Sequence, residues 1–211
     1  MLPPQIELCA LLPPGRERRM HEPPFEHIDS LIDSLGNAIE PFLDRPIALF
    51  GHSMGALISF ELAHHLKSRL RAQPIHLFAS GMSAPQLPRK QLYHLPEDEF
   101  LCELRKLNGM PKEILDNPEL MSVLLPRLRA DFTLCDTYAY SARDLLDCPI
   151  TALGGIDDSD VPQSDLLAWR SMTRGRFEMQ RFPGDHFFID SARESLLALL
   201  STELSRYLQY R

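Results

Sequence analysis

The stretch that decides the fold is Ile47-Ala48-Leu49-Phe50-Gly51-His52-Ser53-Met54-Gly55-Ala56. An apolar run ends at Phe50, and apolar residues at helical spacing follow Ser53. Between them, Gly51 to Gly55 match the G-x-S-x-G motif, in which a serine occupies a tight turn from a strand into a helix. Such a turn needs small residues two positions before and after the serine. The motif therefore predicts Ser53 as a nucleophile and the backbone N–H of Met54 as one oxyanion donor.

Outward from this motif, apolar runs and helical periods alternate along the chain. The predicted strands cover 6–12, 46–50, 74–80, 148–153 and 176–182, and the predicted helices cover 27–43, 54–70, 164–172 and 191–207. Consecutive parallel strands are joined by right-handed helical crossovers. The alternation therefore predicts an α/β fold with a mostly parallel sheet flanked by helices.

The segment 96–140 interrupts this alternation, because its helical pieces follow one another without a strand. Its prolines are expected to break these pieces: Pro111, Pro118 and Pro126. Helices inserted at the carboxyl edge of a parallel sheet cover the place where ligands bind. We therefore expect one domain over residues 1–211 with a helical lid insertion at about 96–140. Its apolar residues fit either a chamber wall or the core of the lid: Phe100, Leu104, Leu107, Met110 and Phe132.

Composition argues against several classes of protein. The formal net charge is −7, so a nucleic-acid binder that depends on overall positive charge is not expected. No apolar stretch approaches the roughly 18 residues of a membrane helix, and the first residues lack a signal-peptide pattern. The four cysteines form no C-x-x-C pair and no zinc-like spacing with histidine. We expect a cytoplasmic, monomeric protein with no metal, cofactor, nucleic-acid or membrane partner.

A nucleophilic serine needs a base, and imidazole has a suitable pKa near neutrality. Of the eight histidines, His186 lies in a turn between the last predicted strand and the last predicted helix. This turn is at the carboxyl edge of the sheet, as is Ser53, so we predict His186 as the base. The neighbouring His52 is expected to direct its side chain elsewhere, and His64 and His65 belong to a helix.

The orienting acid is expected after a strand between Ser53 and His186, because this type of site runs Ser…Asp…His along the chain. The spacing G-x-x-D-x-x-V from Gly155 to Val161 selects Asp158. The same count from Gly154 leaves Asp157 as the alternative. A calcium site of the hand type is disfavoured, because the glycine and glutamate of such a loop are missing.

Five segments resemble the type II thioesterases, the stand-alone editing enzymes of polyketide and nonribosomal peptide assembly lines. They are 12–19 (LPPGRERR), 51–55 (GHSMG), 95–100 (LPEDEF), 128–132 (LRADF) and 182–187 (FPGDHF). The resemblance implies an α/β-hydrolase fold that cleaves acyl or aminoacyl thioesters from the phosphopantetheine arm of an acyl or peptidyl carrier protein. Ser53, His186 and Asp158 would act through an acyl-enzyme. The arginines of 16–19 would be candidate contacts for the phosphate of the arm.

The resemblance also implies one departure from the family. Its members carry a Gly-rich turn of the pattern F-P-Y-A-G-G ahead of the segment matching 6–19, and that turn supplies a second oxyanion N–H. This sequence begins after it, so we expect half an oxyanion hole and an unpaired part of the sheet. One such donor is worth about 3 kcal/mol. Two alternatives therefore stay open: a general carboxylesterase or lipase, and a catalytically weak carrier-protein-binding protein with a hydrolase fold.

Overall fold

The computed structural model describes residues 2–107, 110 and 112–208. In this part of the chain the centre of the fold is a four-stranded sheet, all parallel, in the order β1-β2-β3-β4. The strands are β1 (Ala48–His52), β2 (His76–Ser80), β3 (Ile150–Gly155) and β4 (Phe177–Phe182). The predicted α/β architecture is confirmed. β1 extends through Gly51 and His52, so the chain turns at Ser53 itself.

Helices cover both faces of the sheet. They are α1 (Ile28–Ile39), α2 (Met54–Arg69), α3 (Glu97–Leu107), α4 (Lys112–Leu115), α5 (Pro118–Asp136), α6 (Gln163–Leu167), α7 (Phe188–Ser191) and α8 (Arg193–Leu208). On one face α2 packs against β1 and β2, with α1 packed on α2 and α6 on β3. On the other face, residues of α7 and α8 cluster with Phe78, Leu153 and Phe182.

The strand β2 shows why the sheet stays between these layers. Its five residues are all buried. Leu77 and Ala79 belong to the cluster that includes α2, whereas Phe78 belongs to the cluster that includes α8. Successive side chains of a strand point to opposite faces, so a strand that is buried at every position is covered on both sides.

The segment 6–12 is not a strand, and the prediction of one there is wrong. It is irregular, with Leu8 81% and Leu11 42% exposed. Side chains hold it instead: Arg19 donates to the Leu12 carbonyl at 2.8 Å. Among the described residues no ladder joins this segment to β1. An apolar run becomes a strand only where a neighbouring strand satisfies its backbone groups.

The prolines of 96–140 do not all act as the sequence predicts. Pro118 begins α5, with Asn117 as the N-cap that accepts two backbone N–H groups. Pro126 lies inside α5, which continues through it to Asp136. Arg127 donates from its side chain to the Val123 carbonyl in that turn. Pro111 lies outside the described residues.

The helices α3 to α5 have a small core of their own. Its buried members are Leu92, Phe100, Leu104, Leu115 and Met121, with Met110 and Phe132 packed against them. The Phe132 ring meets Phe100 edge-on at 5.1 Å between centroids. Four of the five apolar residues singled out from the sequence therefore contribute to this core, and Leu107 is not among its members.

His76 of β2 is a buried base whose titration is coupled to folding. One ring nitrogen lies 2.8 Å from Thr151 Oγ1, and the other lies 3.2 Å from the Tyr207 hydroxyl. Burial, with a smaller contribution from Arg176, lowers the pKa of His76 from 6.5 to about 4. Between these two values the unfolded chain takes up a proton that the folded chain does not, so stability falls as the pH falls through this window.

We predict that His76→Gln weakens this pH dependence. Glutamine forms hydrogen bonds but does not titrate, so the loss of unfolding free energy between about pH 7 and about pH 5 should shrink by about 2 kcal/mol. Urea unfolding of both proteins at both pH values measures the difference. An unchanged pH dependence in His76→Gln would contradict the assignment.

Candidate active site

Ser53 occupies a strained turn between β1 and α2. Its φ is 53° and its ψ is −125°, outside the regions that residues with a Cβ ordinarily adopt. The Ser53 N–H donates to the Ser80 carbonyl at 2.7 Å, which ties the turn to the end of β2. The Ser53 carbonyl in turn accepts from the Ala56 N–H at 2.8 Å and starts the helix. The strand-to-helix turn that the motif predicts is present.

The two glycines of the motif are not equivalent. A Cβ on Gly51 would lie 1.9 Å from the Gly55 carbonyl oxygen, so only glycine fits there. A Cβ on Gly55 would meet no described atom within 4 Å outside its own helix. The expectation that both positions must be small is right for Gly51 and wrong for Gly55. It is the backbone of Gly55 that crowds β1.

Asp158, and not Asp157, contacts His186. The Asp158 Oδ2 atom lies 2.8 Å from His186 Nδ1, while Oδ1 accepts the backbone N–H groups of Asp160 and Val161 at 3.0 and 3.2 Å. Asp158 is 5% exposed and His186 is 8% exposed, whereas Asp157 is exposed. The structure therefore brings together the pair that the spacing from Gly155 selects.

The carboxylate of Asp158 stays ionised near neutral pH despite its burial. Burial by itself raises the pKa of this carboxyl. The hydrogen bond and the charge of His186, with the two backbone N–H donors, outweigh burial and lower the pKa below its ordinary value. An ionised acceptor at Nδ1 holds the imidazole in the tautomer that leaves Nε2 free as a base.

Two glycines bring the loop of His186 against the end of β3. A Cβ on Gly155 would lie 2.2 Å from the Asp185 carbonyl oxygen, so the loop packs directly on the strand backbone. Gly184 has φ of 118°, a conformation that favours glycine. The Gly184 carbonyl accepts the Asp157 N–H at 2.9 Å. These contacts set the distance between the Asp158 loop and the His186 loop.

The Met54 N–H is the first of α2, so it has no acceptor within the helix and is free to bind an anion. Among the described residues, no hydrogen bond joins the Ser53 hydroxyl to His186. Catalytic hydrogen bonds of this kind are often long before substrate binds. The arrangement has the parts for acyl transfer through a serine: a strained nucleophile, a base with an orienting acid, and one oxyanion donor.

His52 is the site residue that the sequence analysis missed. Its ring centroid lies 5.1 Å from that of His186, so the expectation that its side chain lies elsewhere is wrong. No spacing argument identifies such a contact, because it depends on a loop that is more than 130 residues later in the numbering. The ring belongs to the wall of the site.

Two of the three arginines of the segment 16–19 form ion pairs with acidic side chains. Arg16 contacts Asp131 at 2.5 Å, which joins two of the segments that carry the family resemblance. Arg19 contacts Glu22 at 2.5 Å. Arg18 is exposed. Arg18 lies outside these two pairs, and the phosphate contact expected from the sequence stays a prediction.

A cavity of about 610 Å³ lies among α3, α4 and α5. Its lining is mixed: Glu97, Leu101, Arg105, Leu115, Asp116, Pro118, Met121, Ser122, Leu125 and Pro126. None of the three candidate catalytic residues lines it.

Within residues 2–107, 110 and 112–208, no cluster of potential metal ligands is present. The helices of the same ranges include none that is long and apolar enough to cross a membrane.

Comparison with known proteins gives a consistent family. A model of the thioesterase domain family, described as "Thioesterase domain", matches residues 1–204. The chain is 46% identical to linear gramicidin dehydrogenase LgrE of Brevibacillus parabrevis over 98% of this chain and 81% of that protein. It is 44% identical to the gramicidin S biosynthesis protein GrsT of Aneurinibacillus migulanus, over 96% of this chain and 80% of that protein.

Among solved structures, the type II thioesterase BorB from the borrelidin biosynthetic cluster superimposes with a TM-score of 0.83. The identity is 36%, and the match covers 92% of this chain and 80% of that chain. The sequence and the fold therefore agree on the same group of relatives.

We predict that Asp158→Asn lowers kcat for acyl-ester or thioester cleavage by about 10³- to 10⁴-fold, because the neutral amide favours the wrong tautomer of His186. Asp157→Asn is the matched control and should stay within about twofold, as an exposed substitution does. Steady-state kinetics of both variants decide between the two aspartates. Equal losses would contradict the assignment of Asp158.

We also predict that Gly51→Ala lowers the free energy of unfolding by about 3 kcal/mol or more, because its Cβ meets rigid backbone. Gly55→Ala is the control and should be at least as stable as the parent, since alanine favours helices over glycine. Thermal and urea unfolding measure both. A fully stable Gly51→Ala protein would show that the turn relaxes easily.

Proposed function

The chain belongs to the thioesterase domain family, and on that premise we propose that Ser53, His186 and Asp158 release acyl or aminoacyl groups from the phosphopantetheine arm of a carrier protein. Similarity to the type II thioesterase BorB and to the gramicidin S biosynthesis protein GrsT supports a role in editing and release. The protein is therefore a serine hydrolase that acts on thioesters. The observation that carries the residue assignment is the 2.8 Å contact of Asp158 with His186 at the sheet edge where Ser53 turns.

In the first half of the proposed reaction, His186 Nε2 takes the proton of the Ser53 hydroxyl as Oγ attacks the thioester carbonyl carbon. The carbonyl oxygen becomes an oxyanion, which the Met54 N–H binds at the positive end of α2. When the C–S bond breaks, His186 returns the proton to the departing thiol. The acyl group is then an ester of Ser53.

In the second half, His186 removes a proton from water, and the resulting hydroxide attacks the acyl-enzyme. Collapse of the tetrahedral intermediate breaks the C–O bond to Ser53 and returns the proton to its oxygen. Asp158 stays ionised throughout and stabilises the imidazolium in each half. Its burial strengthens that electrostatic interaction, because the local dielectric constant is lower than in water.

The relatives support the proposed substrate class. GrsT is named for gramicidin S biosynthesis, and BorB for the borrelidin cluster. We therefore take acyl and peptidyl carrier proteins as the partners, with phosphopantetheine carried by the partner and no cofactor on this chain. The helices α3 to α5 would form the lid over the acyl group. A cytoplasmic location and a monomeric state stay predictions.

The general carboxylesterase or lipase is the rival within the same chemistry. It uses the same three residues and differs in the leaving group. Thiolate is a better leaving group than alkoxide, so an enzyme adapted to thioesters needs less protonation of the departing atom. The family match favours the thioesterase over this rival. The second rival is a protein with a hydrolase fold that binds carrier proteins and has little or no catalytic turnover.

We predict that an acyl-pantetheine thioester acylates Ser53 and is turned over faster than the matched oxygen ester. Intact-protein mass spectrometry detects the adduct, and release of the free carboxylic acid measures turnover of both esters. Ser53→Ala should abolish the adduct and lower turnover by at least about 10³-fold.

Each rival predicts a different result in this experiment. Faster cleavage of the oxygen ester would favour the carboxylesterase. Binding of acyl carrier protein with neither adduct nor turnover would favour the non-catalytic protein. Undiminished cleavage by Ser53→Ala would exclude the proposed nucleophile.

A further inference from the structure

His52, the last residue of β1, is held in place from several sides. Its backbone pairs with Ser80 of β2 in the register of the sheet. Its Nδ1 atom lies 3.0 Å from the Ser80 hydroxyl. A Cβ on Gly81, where φ is 59°, would lie 2.6 Å from His52 Cε1, so the ring occupies space that only glycine leaves. The ring is fixed relative to the turn of Ser53, whose N–H is bound by the same Ser80.

The other side of the His52 ring faces the base. The centroid of His186 lies 5.1 Å away, with the two planes tilted by 49°. Phe187 lies 5.6 Å from His52 and 5.1 Å from His186, so it contacts both rings. Phe188 meets His52 edge-on at 5.8 Å. The rings of His52, His186 and Phe187 therefore form a triangle in which each ring contacts the other two.

Asp158 alone does not fix His186. A single hydrogen bond at Nδ1 leaves the imidazole free to swing about the line that joins the two side chains. Contact with neighbouring rings restricts that swing, and the rings of His52 and Phe187 provide such contacts. A base displaced by about 1 Å costs up to about 10²-fold in rate, so this restriction bears directly on proton transfer from Ser53.

We propose that His52 is a positioning residue for His186, and that its ring, anchored by Ser80 and Gly81, keeps the imidazole directed at Ser53. This inference rests on the proposed catalytic role of His186. The motif residue before the nucleophile thus contributes to the site through the base and not through the serine.

The charge state of His52 agrees with this role. Burial, and then the proximity of His186, lowers the pKa of His52 from 6.5 to about 4, while Asp158 and Asp190 oppose the shift. The ring is neutral at working pH, so it does not repel the imidazolium that His186 becomes during acyl transfer. Its Nε2 atom is buried without a partner among the described residues. An apolar ring of similar size would therefore lose only the contact with Ser80.

Two replacements at His52 separate the ring from its hydrogen bond. His52→Asn keeps a polar atom near the place of Nδ1 and removes the ring. His52→Phe keeps a ring and removes the polar atom. We expect kcat to fall about 10- to 100-fold in His52→Asn with KM unchanged. We expect His52→Phe to recover most of that loss.

A spectroscopic signature tests the position of His186 independently of turnover. The proton on His186 Nδ1, bound to Asp158, should give a far-downfield NMR signal in the parent protein. This signal should broaden or vanish in His52→Asn and persist in His52→Phe. A loss of stability alone would not produce that difference between two folded variants.

His64→Asn is the matched control. His64 is also a partly buried histidine with an unpartnered Nε2, and its ring packs edge-on against Phe60 at 4.7 Å. Burial, with smaller contributions from Arg143 and Lys67, lowers its pKa to about 4 as well. The same replacement there should reduce stability and leave kcat unchanged.

Three results would overturn the proposal: unchanged kcat in folded His52→Asn, equal losses in His52→Asn and His52→Phe, or an equal loss in His64→Asn. If His52→Asn does not fold, Ser80→Ala carries the test, because it removes only the hydroxyl that anchors the ring. It should lower kcat several-fold at constant KM, and unchanged kcat would then overturn the proposal. Acylation of Ser53 in the parent protein is measured beside each variant, so failure of the proposed function appears separately as a missing adduct.

Discussion

The rest of the site depends on the close packing of β1 against the start of α2. Ser53 is held in a backbone conformation that costs on the order of 1–3 kcal/mol, and such strain persists only where the surroundings over-determine it. Here the missing side chain of Gly51 admits the Gly55 carbonyl, and the Ser80 carbonyl binds the Ser53 N–H. The fully buried residues of α2, among them Leu57 and Leu66, hold the helix in that position. The positions of the candidate nucleophile Ser53, the candidate oxyanion donor Met54 and the ring of His52 all depend on this one contact.

Burial and hydrogen-bond partners together determine the charge states of the site residues. Asp158 remains ionised because three donors bind its two oxygens. Among the residues that the structure describes, His52 has one hydrogen-bonding contact, with Ser80, and it stays neutral. In the proposed reaction the site therefore combines the negative charge of Asp158 with a base, His186, that gains a proton. A second positive charge beside His186 would oppose that step, and burial of His52 prevents it.

The helices α3 to α5 form a layer with its own core, and polar contacts connect it to the rest of the chain. Arg16 binds Asp131 of α5, and the Asp136 carboxylate accepts the backbone N–H groups of Leu92 and Tyr93. Burial raises the pKa of Asp131 even though Arg16 opposes the shift. Breaking such a pair leaves a half-buried charge without its partner, which is unfavourable. These contacts give the conspicuous motif residues Arg16 and Asp131 a structural role.

The sequence by itself determined the parallel sheet, the turn at Ser53 and the choice of Asp158 and His186 as candidates, because strand and helix periods, glycines and chain order are local properties. It failed at 6–12, where no described strand pairs with the apolar run, and at Pro126, where the helix continues through the proline. It also failed at Gly55 and at His52. Only the tertiary structure decided those positions. Contacts between residues far apart in the chain depend on how distant loops pack together at the sheet edge. The spacing of residues within one segment carries no information about that packing.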